Sequence, residues 1–196
     1  HPGEPLREQE RIAPVAMTEP SPGVYVYDLG QNMVGNVQLS LVAPEGTRLR
    51  LRYAEMLQED GNLYTAALRS ARAPDYYICG GAGELYTPRG TFHGFRYVEV
   101  SGLTDEPGEN AVTGIALNTD MPEIGSVTTS DERVNQVLSN IRWGQKGNHL
   151  DIPTDCPQRN ERLGWSGDAQ VFVGTAAFNM DIAAFFTKWL DDMADA

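Results

Sequence analysis

Apolar and polar positions alternate over the first part of the chain and recur at helical spacing over the rest. The β pattern begins at Gly23. Val24-Tyr25-Val26-Tyr27 reads as a strand and Asp28-Leu29-Gly30-Gln31-Asn32 as a turn. Val37, Leu39 and Leu41 then alternate with Asn36, Gln38 and Ser40, which gives one buried and one wet face. After a turn at Pro44-Glu45-Gly46, Leu49, Leu51 and Tyr53 alternate with Arg48, Arg50 and Arg52, and the arginines read as a solvated sheet face. Positions 58–75 have no clear period and read as a long surface excursion, a feature that is uncommon in compact domains and often functional. Tyr76-Tyr77-Ile78 resumes the sheet, and Gly80, Gly81 and Gly83 turn it. The strand at 91–100 puts Phe95, Tyr97 and Glu99 on one face and Arg96, Val98 and Val100 on the other, with His93 read as a packed or turn-satisfying side chain. A last strand covers 112–117. Several short strands with turn signals and no interleaved helix predict an antiparallel β-sandwich over 23–119. Residues 1–22, rich in Pro, Glu and Arg, read as an N-terminal arm.

The period changes at about Asp120, and 120–129 reads as a linker. Over 130–196 three helices are predicted. Ser130 is placed to cap the first, with Asp131 and Glu132 at the positive end of its dipole. Val134, Val137, Leu138 and Ile141 form its apolar stripe, and Gly144 and Gly147 weaken its end. Asp168 is placed to cap the second helix, with Phe172, Val173, Ala176 and Ala177 on one face. Asp181 opens the third, which carries Ile182, Phe185, Phe186, Trp189, Leu190 and Met193 as a core stripe. Faces this broad need a covering. They pack on the sandwich, on a second copy as a homo-oligomer, or on further parts of a larger protein, and the last is the reading preferred. The absence of an initiator Met and of a signal-peptide pattern suits a processed form or an excised piece.

Charge narrows the partners. The net charge is −12, with 15 acids and 9 bases in 1–119 and 12 acids and 6 bases in 120–196. Each part is therefore −6, without a basic stripe, which argues against nucleic acid and anionic membranes. No apolar run approaches the ~18 residues of a membrane helix. Cys79 and Cys156 make no disulfide framework, and His1, His93 and His149 are too scattered for a zinc site. No metal or cofactor is expected, and Gly80-Gly81-Ala82-Gly83 lacks the Lys-Ser/Thr and the helix of a phosphate loop.

Candidate chemistry is concentrated at 149–168, HLDIPTDCPQRNERLGWSGD. Asp151, Asp155, Glu161 and Asp168 stand there with Arg159, Arg162 and Trp165, on a Pro- and Gly-punctuated loop between two helical patterns. Glycosidic cleavage needs an acid that keeps its proton through burial or neighbouring negative charge. Aspartates suit bidentate hydrogen bonding to adjacent sugar hydroxyls, an indole suits the C–H face of a pyranose, and Arg159 can bind a hydroxyl or orient a carboxylate. The same acids also suit solvated surface, helix caps or calcium, although no D-x-D-x-D-G loop is present. Spacing alone does not choose among these.

NHLDIPTDCPQRNERLGWSGDAQVF closely resembles the signature of bacterial α-L-rhamnosidases of glycoside hydrolase family 78. TAAFNMDIAAFFTKWL is similar to that family's next helices. YDLGQNMVGNVQLSL, RLRYAEML and FHGFRYVEV resemble the β-sandwich domain that precedes its catalytic barrel. The resemblance covers about 23–196. It implies a β-sandwich followed by the first helices of an (α/α)6 barrel, and an inverting hydrolase acting on rhamnose-containing glycosides. It implies Glu161 as general acid, Asp155 and Asp168 as holders of the rhamnose hydroxyls, and Trp165 lining the sugar pocket, with Arg159 as their companion. The general base it implies is a glutamate on a later part of the barrel, outside this chain, so the 196 residues alone are expected to be inactive. Asn160 stands where the family motif usually has Asp, which removes one negative charge beside Glu161. The runner-up reading is a non-catalytic sugar-binding β-sandwich with a helical appendage.

Overall fold

The computed structural model describes residues 3–196 and forms two units. The β unit comprises Glu10–Ala116 and, from much later in the chain, Gln158–Asn160. The helical unit comprises Leu117–Pro157 and Glu161–Ala196, together with the residues up to Gln9.

Eight strands make the β part: β1 Leu6–Ile12, β2 Ala16–Ser21, β3 Val24–Val42, β4 Arg48–Ala54, β5 Asp75–Ile78, β6 Gly83–Tyr86, β7 His93–Ser101 and β8 Val112–Thr119. Their order is β1-β8-β3-β7-β4-β5, with β2 and β6 also pairing to β3. β3 organises the sandwich. Its first half pairs antiparallel with β2 and β7, and its second half with β7, β8 and β6. The expected turn at 28–32 is instead a bulge within this one strand. The register against β7 runs from Asp28↔Tyr97 directly to Met33↔Phe95. Asp28 makes the bulge by accepting from Gly30 N at 2.7 Å, while Arg96 clamps its carboxylate at 2.7 and 2.8 Å. Those bonds hold the Asp28 carboxyl below its ordinary range, the Arg96 hydrogen bond contributing most.

One further expectation changes. The arm at 1–22 contains β1 and β2. Both are largely exposed, so their side chains need no apolar alternation and give none to read. The glycine turn at 80–83 leads into β6, whose Glu84 accepts from Gly80 N, Gly81 N and the Tyr77 hydroxyl.

Leu49, Leu51 and Tyr53 are buried as expected, beside Tyr27, Leu39, Phe95, Val98 and Val100. The arginines between them are not simply solvated. Arg50 and Arg52 converge at 3.2 and 3.1 Å on Glu99, which is only 2% exposed, and Arg48 lies over the ring of Tyr76. A carboxylate so far from water requires its cations. His93 is the packed histidine expected. It stacks on Tyr53 at 3.9 Å and shares the Asp75 carboxylate with the Tyr53 hydroxyl, at 2.9 and 2.8 Å.

The helices are α1 Glu132–Asn148, α2 Ser166–Asn179 and α3 Ala183–Asp195, and none is long and apolar enough to cross a membrane. Asp131, not Ser130, caps α1, accepting from Arg133 N at 2.9 Å. Gly144 and Gly147 are absorbed inside the helix. Trp165 holds the cap position of α2, which leaves Asp168 in its first turn, and Ile182 holds that of α3, with Asp181 accepting from Ala183 N. Met121, Ala176, Met180, Ile182 and Phe185 form the helical core. Gln145, fully buried, joins α1 to the end of α2 by donating to Ala176 O and accepting from Asn179 Nδ2. The Val134/Val137 stripe of α1 stays exposed, as do Val171 and Phe178 of α2, because α1 turns its Gln145 and Gly147 side inward.

The Glu99 cluster yields a test. Arg52→Ala leaves Glu99 with Arg50 alone and should cost about 2 kcal/mol in denaturant unfolding. Adding Glu99→Gln should recover part of that loss, because the buried charge short of a partner is then gone.

Candidate active site

The loop at 149–168 is folded by its own backbone. β9 His149–Leu150 pairs with β10 Ile152–Pro153 around Asp151, whose φ is 67°. Asp151 N donates to Thr119 Oγ1, and the Asp151 carboxylate meets Lys188 at 3.4 Å. This acid is therefore a turn residue. Beyond the hairpin, Thr154 bridges Gly164, and Asp155 and Leu163 bond reciprocally: Asp155 N to Leu163 O at 3.0 Å, and Leu163 N to Asp155 Oδ1 at 2.7 Å. These bonds pinch residues 156–162 into a closed loop. Cys156 and Arg162 take φ of 35° and 57° inside it, and Arg162 Nε donates to Pro157 O at 2.9 Å. Burial lowers the affinity of Arg162 for its proton. Gly164 is required where it stands, since a Cβ there would meet Trp189 Nε1 at 2.8 Å.

The pinch brings side chains together. Asp155, Cys156 and Glu161, all half-buried, place one oxygen or sulfur each within 4.8 Å of one another. Three such atoms could meet a metal ion, but a structural zinc takes four ligands, and Asp155 Oδ1 already accepts the Leu163 amide. Asp155 also lines a cavity of about 710 Å³ with Gln145, His149, Thr154, Asp168 and Phe172. Asp155 and Asp168, thirteen positions apart, thus face one space. Trp165 opens α2 with its side chain 48% exposed, and Arg159 is half-buried within the closed loop. Glu161, Arg159 and Trp165 are not part of that cavity wall.

Two models of bacterial α-L-rhamnosidase domains match this chain: the concanavalin-like domain over residues 18–118 and the six-hairpin glycosidase domain over 122–196. The chain belongs to the bacterial α-L-rhamnosidase family. An α-L-rhamnosidase of Streptomyces avermitilis is 52% identical over 193 residues, which are 98% of this chain and 19% of the relative. One from Formosa agariphila is 48% identical over 174 residues, 87% of this chain and 19% of its own length. The crystal structure of the Streptomyces avermitilis enzyme complexed with L-rhamnose superposes with a TM-score of 0.97 at 51% identity, covering 99% of this chain and 19% of that one. The native Aspergillus terreus enzyme superposes at 0.91 with 38% identity, covering 96% and 22%. The chain therefore spans about a fifth of the length of these relatives.

His149 is the cavity residue that the sequence did not single out. It is 3% exposed, packed against Phe185 at 4.7 Å and Phe186 at 5.9 Å, and its Nδ1 is buried without a hydrogen-bond partner. No local signal marks it, because its burial comes from α3, some 35 residues later. Burial disfavours the imidazolium and pushes its pKa from 6.5 down to about 4. The unfolded chain binds that proton at the ordinary value, so the stability from a neutral His149 is complete above about pH 6.5 and falls as pH drops towards 4. Urea unfolding should show a loss of about 2 kcal/mol between pH 7.5 and pH 5, and His149→Leu should flatten that dependence.

Proposed function

We propose that this chain supplies the proton-donor side of an α-L-rhamnosidase active site, which releases terminal α-L-rhamnose from glycosides with inversion. Glu161 protonates the leaving oxygen. Asp155 and Asp168 hold the rhamnose hydroxyls, Trp165 lines the sugar pocket and Arg159 orients its neighbours. The carrying observation is the pinched loop, which puts Asp155 beside Glu161 and, with Asp168, on the wall of one cavity.

The spacing of the acids supports this division of roles. An inverting acid and base stand about 6.5–9.5 Å apart, with the attacking water between them. Asp155 and Glu161 are nearer than that, within 4.8 Å, which suits Asp155 as a sugar holder and not as the base; the resemblance implies a base on a later part of the barrel. The relative crystallised with L-rhamnose supports the sugar class.

Rhamnose release from an aryl α-L-rhamnoside tests the reading. In a polypeptide continued through the rest of the family's catalytic domain, Glu161→Gln should lower kcat by about 10²–10⁴-fold. Asp155→Ala or Asp168→Ala should abolish rhamnoside binding. The 196 residues alone should release no rhamnose, and turnover by them that vanishes in Glu161→Gln would overturn that expectation. Binding that survives deletion of 130–196 would favour a sugar-binding sandwich instead.

A further inference from the structure

Residues 158–160 fold with the β unit although they lie within the acidic loop. Two of their contacts matter here. At Gly94 of β7, the position a Cβ would occupy is 2.7 Å from Gln158 Cβ, 3.0 Å from Gln158 Cα and 3.1 Å from Gln158 N. The backbone of Gln158 thus lies flush on the strand, and any side chain at 94 would push it away. Two residues later, Asn160 Nδ2 donates to Ser70 Oγ at 2.6 Å.

Neither support is a loose surface. Gly94 pairs with Val34 inside the sheet. Ser70 belongs to the excursion at 58–75, which is itself fastened. Leu68 is buried in the 3-10 turn Ala66–Leu68, Ala71 N donates to Leu68 O at 3.1 Å, and Asp75 closes the excursion on His93 and Tyr53. His93 is the residue next to Gly94, so the Asp75–His93 pair ties one support to the other. The chain leaves this anchored arc at Asn160, and the next residue is Glu161.

We propose that Ser70 and Gly94 are positioning residues for Glu161: through Asn160 and Gln158 they set where the backbone delivers the proton donor. This rests on the reading of Glu161 as the general acid. Asp155 and Asp168 are held otherwise, by the Leu163 pinch and by the first turn of α2. Disturbing the arc should therefore move the acid and spare the sugar holders. A misplacement of about 1 Å can cost about 10²-fold in rate.

The test uses aryl α-L-rhamnoside hydrolysis by the polypeptide continued through the catalytic domain. Gly94→Ala should lower kcat by about 10²-fold with KM within about twofold. Ser70→Ala should lower kcat by about fivefold, and Ser70→Thr, which keeps the hydroxyl, should restore it. Ser70 and Asn160 are exposed, so Ser70→Ala and Asn160→Ala report even if Gly94→Ala does not fold. Folded Gly94→Ala and Ser70→Ala with unchanged kcat, or with the loss confined to KM, overturn the proposal while a Glu161→Gln defect leaves the function standing. No defect in Glu161→Gln overturns both.

Discussion

One backbone hydrogen bond and one amide-to-carboxylate bond close the acidic loop. Asp155 and Leu163 exchange a main-chain and a side-chain bond at 3.0 and 2.7 Å, with seven residues doubled back between them. Everything proposed for the site depends on this closure. It turns six positions of sequence separation between Asp155 and Glu161 into proximity within 4.8 Å. It sends the chain into α2 through Trp165, which puts Asp168 in the first turn of the helix and onto the same cavity as Asp155. Asp155 thus has two tasks: one oxygen holds the loop shut, and the carboxylate as a whole lines the cavity.

The parts of the fold legible in the sequence were those where one face is dry. The Leu49, Leu51 and Tyr53 alternation announces its burial through its period, as do Ile182, Phe185 and Trp189 of the α3 stripe, although Leu190 and Met193 of that stripe are exposed. Polar structure was harder to read. β1 is exposed, β2 is only partly covered, and neither carries a period. The Asp28 bulge looks like a turn because Asp and Gly make both, and only the long-range clamp by Arg96 decides between them. Helix starts slipped for a related reason. Ser130 and Asp131 are equally good caps by type, and the bond from Arg133 N selects the second. At the site, motif resemblance picked out the acids, while the closure that groups two of them is a specific local bond with no apolar period to announce it, and the burial of His149 depends on a helix far along the chain.

The two units are specified by different chemistry. The helical core is mostly apolar, and the polar side chains buried in its unit, among them Gln145, His149 and Thr154, are all uncharged types or a histidine that burial keeps neutral. The β unit buries ionic and polar groups instead: Glu99 under two arginines, and Asp75 between His93 and Tyr53. Such networks add little net stability, but they penalise any register that leaves a charge unpaired. Burial pushes the Asp75 carboxyl up, and the His93 and Tyr53 contacts outweigh it, so it stays ionised below its ordinary range. A sheet fixed in register in this way is a suitable foundation for Gly94 and for the excursion that presents Ser70.

Backbone strain follows the same line. Among the described residues, the non-glycine positions with positive φ are Arg69, Asp151, Cys156 and Arg162. Three lie in the acidic loop, and the fourth immediately precedes Ser70. Each such conformation costs on the order of 1–3 kcal/mol and persists only where its surroundings over-determine it. The surroundings here are the hairpin at Asp151, the Leu163 pinch around Cys156, the Arg162 bond to Pro157 O, and the 3-10 turn that Arg69 ends. Strain spread at random would have no such distribution. Its confinement to the loop and to the residue before Ser70 marks each of these segments as held by its own specific bonds.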